Sequence, residues 1–348
     1  MTSVFEIDGS LLGGGGQILR VALSLSCLRQ VPVRIYNIRA GRPKPGLMEQ
    51  HLKGVELLRK MCNAHVTGLH PGSCDLTFKP TKIKGGFYEC FINTAGSISL
   101  ILQVAIPCAI FADCPVKFRI TGGTNVDMAP QVDYLTEVFR PVLEKFGATF
   151  DFELVRRGYY PRGGGEVIIK IRPIQHLTGI DLTKFGNIVS INGWSFSSGT
   201  LPPCVSTRIA DGVKETLSNF KNINIECYKE DEIIAPHSAS GIILVAETDT
   251  GCVIGASGLG KKKEKLEVTG KKAALDLLKS IEQEACVDDY CQDQIVIFMA
   301  IAKGPSKVKI GGLTQHTKTA IFVVEILAKV QFNVVPIQGG NIVHCTGS

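Results

Sequence analysis

The sequence predicts an α/β (α+β) protein, with three repeated βαβαββ-like units in a large domain and a small α/β domain inserted among them. One pattern occurs three times: an almost wholly apolar helix, then a short strand that opens at a proline and carries basic residues. The copies run from Gly16 to Ile35, from Gly96 to Ile120 and from Asp293 to Ile310. The third copy lies roughly a hundred residues farther along the chain than the spacing of the first two predicts, which indicates an insertion.

Each copy continues in the same way. A glycine-containing loop follows the strand, at 39–42, 122–125 and 311–312, and an amphipathic helix and one or two strands come next. One such unit cannot bury its own apolar face, so we expect a pseudo-threefold arrangement with helices gathered against mixed sheets. The predicted large domain comprises residues 1–183 and 281–348.

The predicted insertion covers residues 184–280 and carries its own signals. Strand patterns occur at 188–191, 241–246 and 252–256, and helix patterns at 206–219 and 270–280. These elements suffice for a small α/β domain. The charged run 261–265 lies within it, either as a solvated loop or as a phosphate contact.

Composition excludes several classes of protein. With 348 residues, of which 45% are apolar and 20% charged, the chain can bury one large core or two ordinary ones, so disorder is excluded. A net charge of +6 suits a polyanionic partner but is far below that of a histone-like protein. The twelve cysteines form no CxxC pair, which favours free thiols in a reducing compartment over disulfides or a zinc site.

No segment of the sequence has the pattern of a signal peptide or a membrane span. The first residues lack a basic and apolar leader, and the longest apolar run, 94–114, contains Gln103, Pro107 and Asp113. A buried helix followed by a strand accounts for that run. We expect a soluble intracellular protein.

The leading candidate for a catalytic group lies in the run from Gly311 to Thr319. Apolar residues follow at helical spacing, so Thr317 or Thr319 is predicted to cap a helix that begins here. A helix N-terminus attracts phosphate oxygens and disfavours a proton on a nearby imidazole. His316 is therefore a candidate nucleophile toward bound phosphate; alternatively, it only caps the turn or fills a polar pocket.

Glycines and arginines near the start of the chain offer anion-binding groups. Gly13 to Gly16 precede the first apolar helix, either as a phosphate-binding turn or as a plain one, since no Walker Lys-Ser/Thr follows. Arg20 lies one turn into this apolar helix, where it needs an anion or a carboxylate. A second cluster, which is either surface charge or a phosphate site, comprises Arg39, Arg42, Gln50 and His51.

Polar residues also interrupt the apolar helices of the second and third copies. Gln103 and the pair Asp293 and Gln294 cost stability there unless a ligand or a structural network satisfies them. Nearby, Tyr290 could stack on a base or simply pack, and Pro130 offers a flat apolar surface. A nucleotide site would use both kinds of group.

Together, five segments resemble the RNA 3'-terminal phosphate cyclase family. They are Asp8-Gly9 with Gly14 to Arg20, Ile38 to Leu47, Gln50 to Leu52, the glycine-rich run Arg157 to Val167, and Gln315 to Thr317. The resemblance covers nearly the whole chain, and the glycine-rich run is its most specific part. It implies three α/β units like the C-terminal domain of a bacterial translation initiation factor, with a small inserted domain.

The resemblance implies an ATP-dependent conversion of an RNA 3'-phosphate end to a 2',3'-cyclic phosphate. The family's nucleophilic histidine, matched by His316, takes AMP from ATP as a histidinyl-AMP. The AMP passes to the RNA 3'-phosphate as an RNA-3'-pp-adenosine end, and the 2'-OH then displaces it. ATP, a divalent metal and RNA with a 3'-phosphate are the implied ligands, and the nucleus, with the cytosol, is the implied location.

The resemblance also assigns site residues. ATP-site positions are Gln103, Pro130, Tyr290, Asp293, Gln294 and Arg20, with Tyr290 and Pro130 expected to flank adenine. RNA- or phosphate-binding positions are Arg39, Arg42, Gln50 and His51. One position departs from the family, whose members carry an acidic residue just before the triglycine to hold Mg or Mn. This chain has Gly13 there, so its metal ligands stay unassigned.

Three other functions compete with this one. A catalytically inactive cyclase-like RNA-binding factor in ribosome assembly would lack the histidine motif and most of the arginines, which this chain retains. A lysine-adenylating polynucleotide ligase would need a Lys-x-Asp-Gly motif, which does not occur. Enolpyruvyl transferases have a related fold, but the local motifs match the cyclases.

Overall fold

A computed structural model describes residues 4–13 and 15–348. The first repeated unit is a four-stranded mixed sheet with two helices. Its elements are β1 (Phe5–Asp8), α1 (Gly16–Arg29), β2 (Val33–Tyr36), α2 (Glu49–Cys62), β3 (His65–Thr67) and β4 (Leu76–Lys79). The strand order is β1-β2-β4-β3, in which β1 is parallel to β2 and the other pairs are antiparallel.

The second unit repeats this topology. Its elements are β5 (Gly86–Phe91), α3 (Ile98–Ala109), β6 (Val116–Gly122), α4 (Val132–Tyr134), α5 (Arg140–Lys145), β7 (Asp151–Arg156) and β8 (Gly165–Ile171). A π-helical turn, Leu135–Phe139, joins α4 to α5. The strand order is β5-β6-β8-β7, with β5 parallel to β6.

The third unit is split by the insertion. It begins with β9 (Asp181–Leu182), after which the chain forms β10 (Ile188–Ser197), α6 (Cys204–Thr216), β11 (Ile223–Lys229), β12 (Ser240–Thr248), β13 (Val253–Leu259) and α7 (Leu266–Glu282). It resumes with α8 (Val296–Ile301), β14 (Ser306–Ile310), α9 (Gln315–Ala328), β15 (Phe332–Ile337) and β16 (Gly340–Cys345). Strands β9, β14, β16 and β15 form its sheet, and β10–β13 form a separate one with the order β11-β10-β12-β13.

The predicted three-unit α/β (α+β) fold is confirmed, because all three sheets share one strand order and one pattern of directions. The central position of α1 accounts for its apolar sequence. This helix packs against both α3 and α9, so few of its side chains are exposed to water. This packing brings the N-terminal ends of α1 and α9 close together.

One predicted helix boundary is wrong. Asp293 and Gln294 do not lie within an apolar helix, because α8 begins only at Val296. The carboxylate of Asp288 accepts the backbone N–H groups of Tyr290 and Cys291, at 2.9 and 3.0 Å, and so holds the preceding segment in turns. Asp293 therefore lies on a turn that enters the helix.

Within residues 4–13 and 15–348, no helix combines the length and the apolar character that crossing a membrane requires. The apolar run 94–114 supplies α3, which is buried by its neighbours. The cysteines of this part of the chain are all free thiols, and most of them are buried.

Candidate active site

A cleft of about 430 Å³ opens between the insertion and the three units, of which the first contributes Arg20. Six residues predicted for the site line it, although they come from distant parts of the sequence: Arg20, Gln103, Pro130, Tyr290, Asp293 and His316. The insertion contributes Ser257 to Leu259 and several polar and charged side chains, so the charged run 261–265 reaches the cleft through Lys261 and Glu264. The cleft is the natural place for a nucleotide-sized ligand.

Helix α9 presents His316 from its first turn, with a cap that differs from the prediction. Oγ1 of Thr314 accepts the backbone N–H of Thr317 at 3.1 Å, so the cap is Thr314. Thr317 or Thr319 as the cap is wrong: the first supplies the donor, and the hydroxyl of the second donates to the carbonyl of Gln315. Because Thr314 caps the helix, the imidazole of His316 is not needed for capping.

The tautomer of His316 follows from a relay through Gln17. Nε2 of Gln17 donates to Oδ2 of Asp293 at 2.5 Å, which turns the amide oxygen toward the imidazole. That oxygen, Oε1, lies 2.5 Å from Nδ1 of His316. An amide oxygen can only accept a hydrogen bond, so Nδ1 carries the proton and Nε2 carries the lone pair.

The surroundings of His316 also keep the ring neutral. Burial lowers its pKa, and the positive charges of Arg20 and Arg42 lower it further. A neutral imidazole with a free Nε2 is a nucleophile at physiological pH.

Arg20 and Asp293, which are both half-buried, support this relay. Burial lowers the pKa of Arg20 to about 10, while the charge of Asp293 acts to raise it. Burial raises the pKa of Asp293 to about 7, while the charge of Arg20 acts to lower it. Arg20 therefore stays protonated at neutral pH and brings a guanidinium into a poorly hydrated cleft, where it attracts phosphate strongly.

His51 has the opposite tautomer. It is the third residue of α2, from which its side chain reaches back to the residue before the helix. Nδ1 of His51 accepts the backbone N–H of Met48 at 3.1 Å, so its proton is on Nε2. Its side chain is only 8% exposed, and burial, with the charges of Arg20 and Arg39, lowers its pKa to about 3.

These groups surround the N-terminus of α1. A Cβ on Gly16 would lie 2.5 Å from Nε2 of His51 and 2.9 Å from Nη1 of Arg20, so only glycine allows both to approach the helix. A Cβ on Gly15, the N-cap residue, would lie 3.5 Å from Nη2 of Arg42. The N-cap makes no side-chain hydrogen bond. A helix N-terminus flanked by two guanidinium groups and an N–H donor is suited to phosphate.

Three other predicted residues lie at the margin of this arrangement. Nη1 of Arg39 donates to the carbonyl of Gly46 at 2.7 Å, which ties it to its own loop. Oε1 of Gln50 accepts the N–H of Ser97 at 3.1 Å. Gln294 donates through Nε2 to the carbonyl of Tyr290 and lines a smaller cavity behind the main cleft, in which its buried Oε1 has no partner in the described chain.

Tyr290 offers an aromatic face in the cleft. Its side chain is 47% exposed, and its ring meets Tyr134 edge-on with centroids 6.3 Å apart. The hydroxyl of Tyr134 donates to Asp288 at 2.6 Å and so fixes the support. Tyr290 and Pro130 thus present two flat apolar surfaces to one cavity, as a planar base requires.

Comparison with known proteins decides the family. The family model "RNA 3'-terminal phosphate cyclase" matches residues 11–334. The chain belongs to the RNA 3'-terminal phosphate cyclase family. The resemblance predicted from the sequence is therefore confirmed.

Relatives with that name are similar over nearly their whole length. The RNA 3'-terminal phosphate cyclase of Drosophila melanogaster is 42% identical and aligns over 99% of this chain and 96% of its own. The cyclase of Pyrobaculum aerophilum is 41% identical over 94% of each chain, and that of Methanopyrus kandleri 43% over 93% of each. Among solved structures, the EPSP synthase of Acinetobacter baumannii aligns with 99% of this chain and 64% of its own, at 11% identity and a TM-score of 0.31, which supports no conclusion about function.

The metal position expected for the family offers no ligand here. Gly13 has φ +85, in the left-handed region that favours glycine, and nothing lies within 4 Å of where its Cβ would be. In residues 4–13 and 15–348, no three His, Cys, Asp or Glu side chains are grouped so that they could hold a metal ion. The described residues therefore do not form a resident metal site of three such side chains.

Gln17 is the functional residue that sequence analysis missed. It belongs to the first turn of the otherwise apolar helix α1, where a buried amide needs partners as much as Gln103 does. That polarity was the available signal. Its partners, Asp293 and His316, are more than 270 residues away in sequence, so the role itself depends on the fold.

Proposed function

We propose that this cyclase-family chain converts RNA 3'-phosphate ends to 2',3'-cyclic phosphates at the expense of ATP, through a covalent AMP on Nε2 of His316. The observation that supports this most directly is the relay from Asp293 through Gln17 to Nδ1 of His316. It leaves Nε2 unprotonated and directed away from its supporting partner. The names of the relatives supply the substrate class.

In the first step, Nε2 attacks the α-phosphorus of ATP, the N–P bond forms, and the bond to pyrophosphate breaks. No base is needed, since Nε2 carries no proton. The imidazole becomes cationic as the bond forms, and the Nδ1–H bond to Gln17, backed by the carboxylate of Asp293, stabilises that charge. Arg20 and Arg42 offset the charge that develops on the phosphoryl oxygens.

In the second step, an oxygen of the RNA 3'-phosphate attacks the same phosphorus and the neutral imidazole leaves. The oxygen of the vicinal 2'-OH then attacks the RNA phosphorus, the bond from that phosphorus to AMP breaks, and the hydroxyl proton leaves with the phosphate of AMP. This closure is intramolecular, so positioning the terminal ribose is the main requirement. Nε2–H of His51 is a donor that can hold a phosphate oxygen during these steps, since its Nδ1 is occupied by the cap of α2.

An inactive RNA-binding factor is the alternative, and no observation favours it. Such a protein has no need of a histidine whose tautomer is fixed by a buried amide and whose pKa is lowered. The two functions differ in one measurable property, which is covalent capture of AMP.

The test is to incubate the protein with ATP labelled at the α-phosphate, quench, and map the acid-labile adduct by peptide mass spectrometry. We expect AMP on His316, discharged when RNA with a 3'-phosphate is added and retained with the matched 3'-OH RNA. A folded protein that binds ATP but forms no adduct across Mg²⁺ and Mn²⁺ would contradict the proposal and favour the inactive factor.

A further inference from the structure

A second cavity of about 280 Å³ adjoins the cleft, and the proposed attack of His316 on ATP does not involve it. The two share a wall formed by Leu100 and residues 126–129. Its other lining residues are Gln50, Ala95, Ser97 and Tyr160. Asp127 is the only charged residue among those that line it, so this groove is unlike the cationic phosphate site at the start of α1.

Two exposed apolar side chains stand at this groove. Met128 is 92% exposed and Tyr160 is 78% exposed, and both line this cavity. Met128 also has φ +63, a left-handed backbone conformation that a bulky side chain rarely adopts. Strained positions of this kind concentrate at ligand sites, where the surrounding structure maintains them.

The turn that carries Tyr160 is firmly held. The backbone of Gly163 lies so close to Thr94 that a Cβ on it would be 2.4 Å from the carbonyl oxygen of Thr94. Just before the turn, the buried guanidinium of Arg157 is paired with Asp133 at 2.7 Å. Tyr160 is therefore an exposed ring on a fixed support, which lowers the entropy cost of binding a ligand against it.

We propose that this groove binds the nucleobase of the 3'-terminal nucleotide of the RNA, stacked on Tyr160 and flanked by Met128. This rests on the proposed function, which makes such an RNA the substrate. An aromatic, nearly uncharged groove suits a base, whereas the phosphate belongs with Arg20, Arg42 and His51. Gln50 lines the groove and is the sequence neighbour of His51, so base and phosphate of one nucleotide can be held side by side.

The test separates the two half-reactions. Tyr160→Ala is compared with the conservative Tyr160→Phe, with Met128→Ala, and with Phe87→Ala as a control, an aromatic residue that is 56% exposed on β5 and lines neither cavity. Each variant is assayed for adduct formation with ATP alone, and for cyclisation of a 3'-phosphorylated RNA and of the same RNA with an abasic terminal nucleotide. Binding of both RNAs is measured by fluorescence anisotropy.

We expect Tyr160→Ala to raise KM and the RNA dissociation constant about tenfold, with adduct formation unchanged and with Tyr160→Phe and Phe87→Ala like wild type. For the wild type, the abasic RNA should bind about tenfold more weakly than the intact RNA. For Tyr160→Ala, the abasic and the intact RNA should bind equally well. Met128→Ala should raise KM and the RNA dissociation constant in the same direction, by a smaller factor.

The proposal is overturned if Tyr160→Ala and Met128→Ala bind the intact RNA like wild type. It is also overturned if each substitution weakens binding of the abasic RNA by the same factor as binding of the intact RNA. If Tyr160→Ala also loses the adduct, its turn is disrupted and Met128→Ala decides, since that side chain is almost fully exposed. Failure of the proposed function looks different: wild type forms no adduct, while the anisotropy comparison still tests the groove.

Discussion

The first turns of α2 and α9 occupy equivalent places in the first and third units, and each carries a histidine of the candidate site. His51 is the third residue of α2, where its Nδ1 reaches back to the backbone N–H of Met48, so the proton stays on Nε2. His316 is the second residue of α9, and its Nδ1 meets the amide oxygen of Gln17 instead, so its Nε2 is free. The partner of Nδ1 thus separates a hydrogen-bond donor from a nucleophile.

Arg20 acts on both histidines but not alone. Its charge lowers the pKa of each ring, with Arg39 acting also on His51 and Arg42 on His316. Burial is the larger cause in both cases. Both rings are therefore neutral at pH 7, and what distinguishes them is the position of one proton.

The largest expected effect breaks the comparison at its nucleophile. His316→Ala should abolish the AMP adduct, because Nε2 of His51 carries a proton and cannot replace it. His51→Ala should still form the adduct, at a lower rate. Labelled ATP and peptide mapping measure both, and an adduct that persists on His51 in the His316→Ala protein would refute the assignment.

Removing the relay comes next. Gln17→Met keeps the volume of the side chain but removes the oxygen that accepts the Nδ1 proton of His316. A smaller fraction of the protein then has His316 in the tautomer with an unprotonated Nε2. We expect the single-turnover rate of adduct formation to drop about 100-fold, as for other residues that orient a functional histidine. ATP affinity, measured by calorimetry, should change little. An unchanged rate would show that Gln17 does not set the tautomer.

The burial of His51 predicts a pH dependence of stability. Its pKa is about 3 in the folded chain and about 6.5 when unfolded, so the unfolded state takes up the proton first as the pH falls. This group should therefore cost about 2 kcal/mol of unfolding free energy between pH 7 and pH 5. Urea titrations of wild type and His51→Asn at several pH values give the unfolding free energy of each as a function of pH. If this free energy falls equally in both proteins between pH 7 and pH 5, His51 is not buried and neutral.

The smallest expected effect concerns Gly13, the position at which the family is expected to carry its acidic metal ligand. Gly13→Glu and the matched Gly13→Ala both force a side chain onto a left-handed backbone, at a cost of about 1 kcal/mol in urea unfolding. The glutamate alone adds a carboxylate, the ligand type that Mg²⁺ prefers. Cyclisation at limiting Mg²⁺ should therefore rise in Gly13→Glu relative to Gly13→Ala, and identical Mg²⁺ dependence would exclude this position as a ligand.

Sequence analysis predicted what local patterns determine. The three-unit fold followed from a repeated apolar pattern, and His316, Arg20, Tyr290 and Asp293 were candidates because each is an unusual residue in its local context. Whether they act as assigned stays a prediction. The cap of α9 was wrong because three threonines near its start make helical periodicity ambiguous by a few residues.

The remaining features depend on contacts between units. The tautomer of His316 is set by Gln17 from the other end of the chain, and the groove beside the cleft joins Gln50, Met128 and Tyr160 from separate turns. The pattern of a short sequence segment does not specify contacts between residues so far apart in the chain. The entry of Lys261 into the cleft likewise requires the insertion to be placed against the third unit.

The most direct test of the central claim is to identify the nitrogen that carries the phosphorus. The protein is labelled with ¹⁵N-histidine and allowed to form the AMP adduct without RNA, and the ¹⁵N–³¹P coupling is then recorded by NMR, with His51→Asn used to assign the signals. The predicted result is one phosphorus bonded to Nε2 of His316. A bond to Nδ1 of His316, or to either nitrogen of His51, would contradict the account.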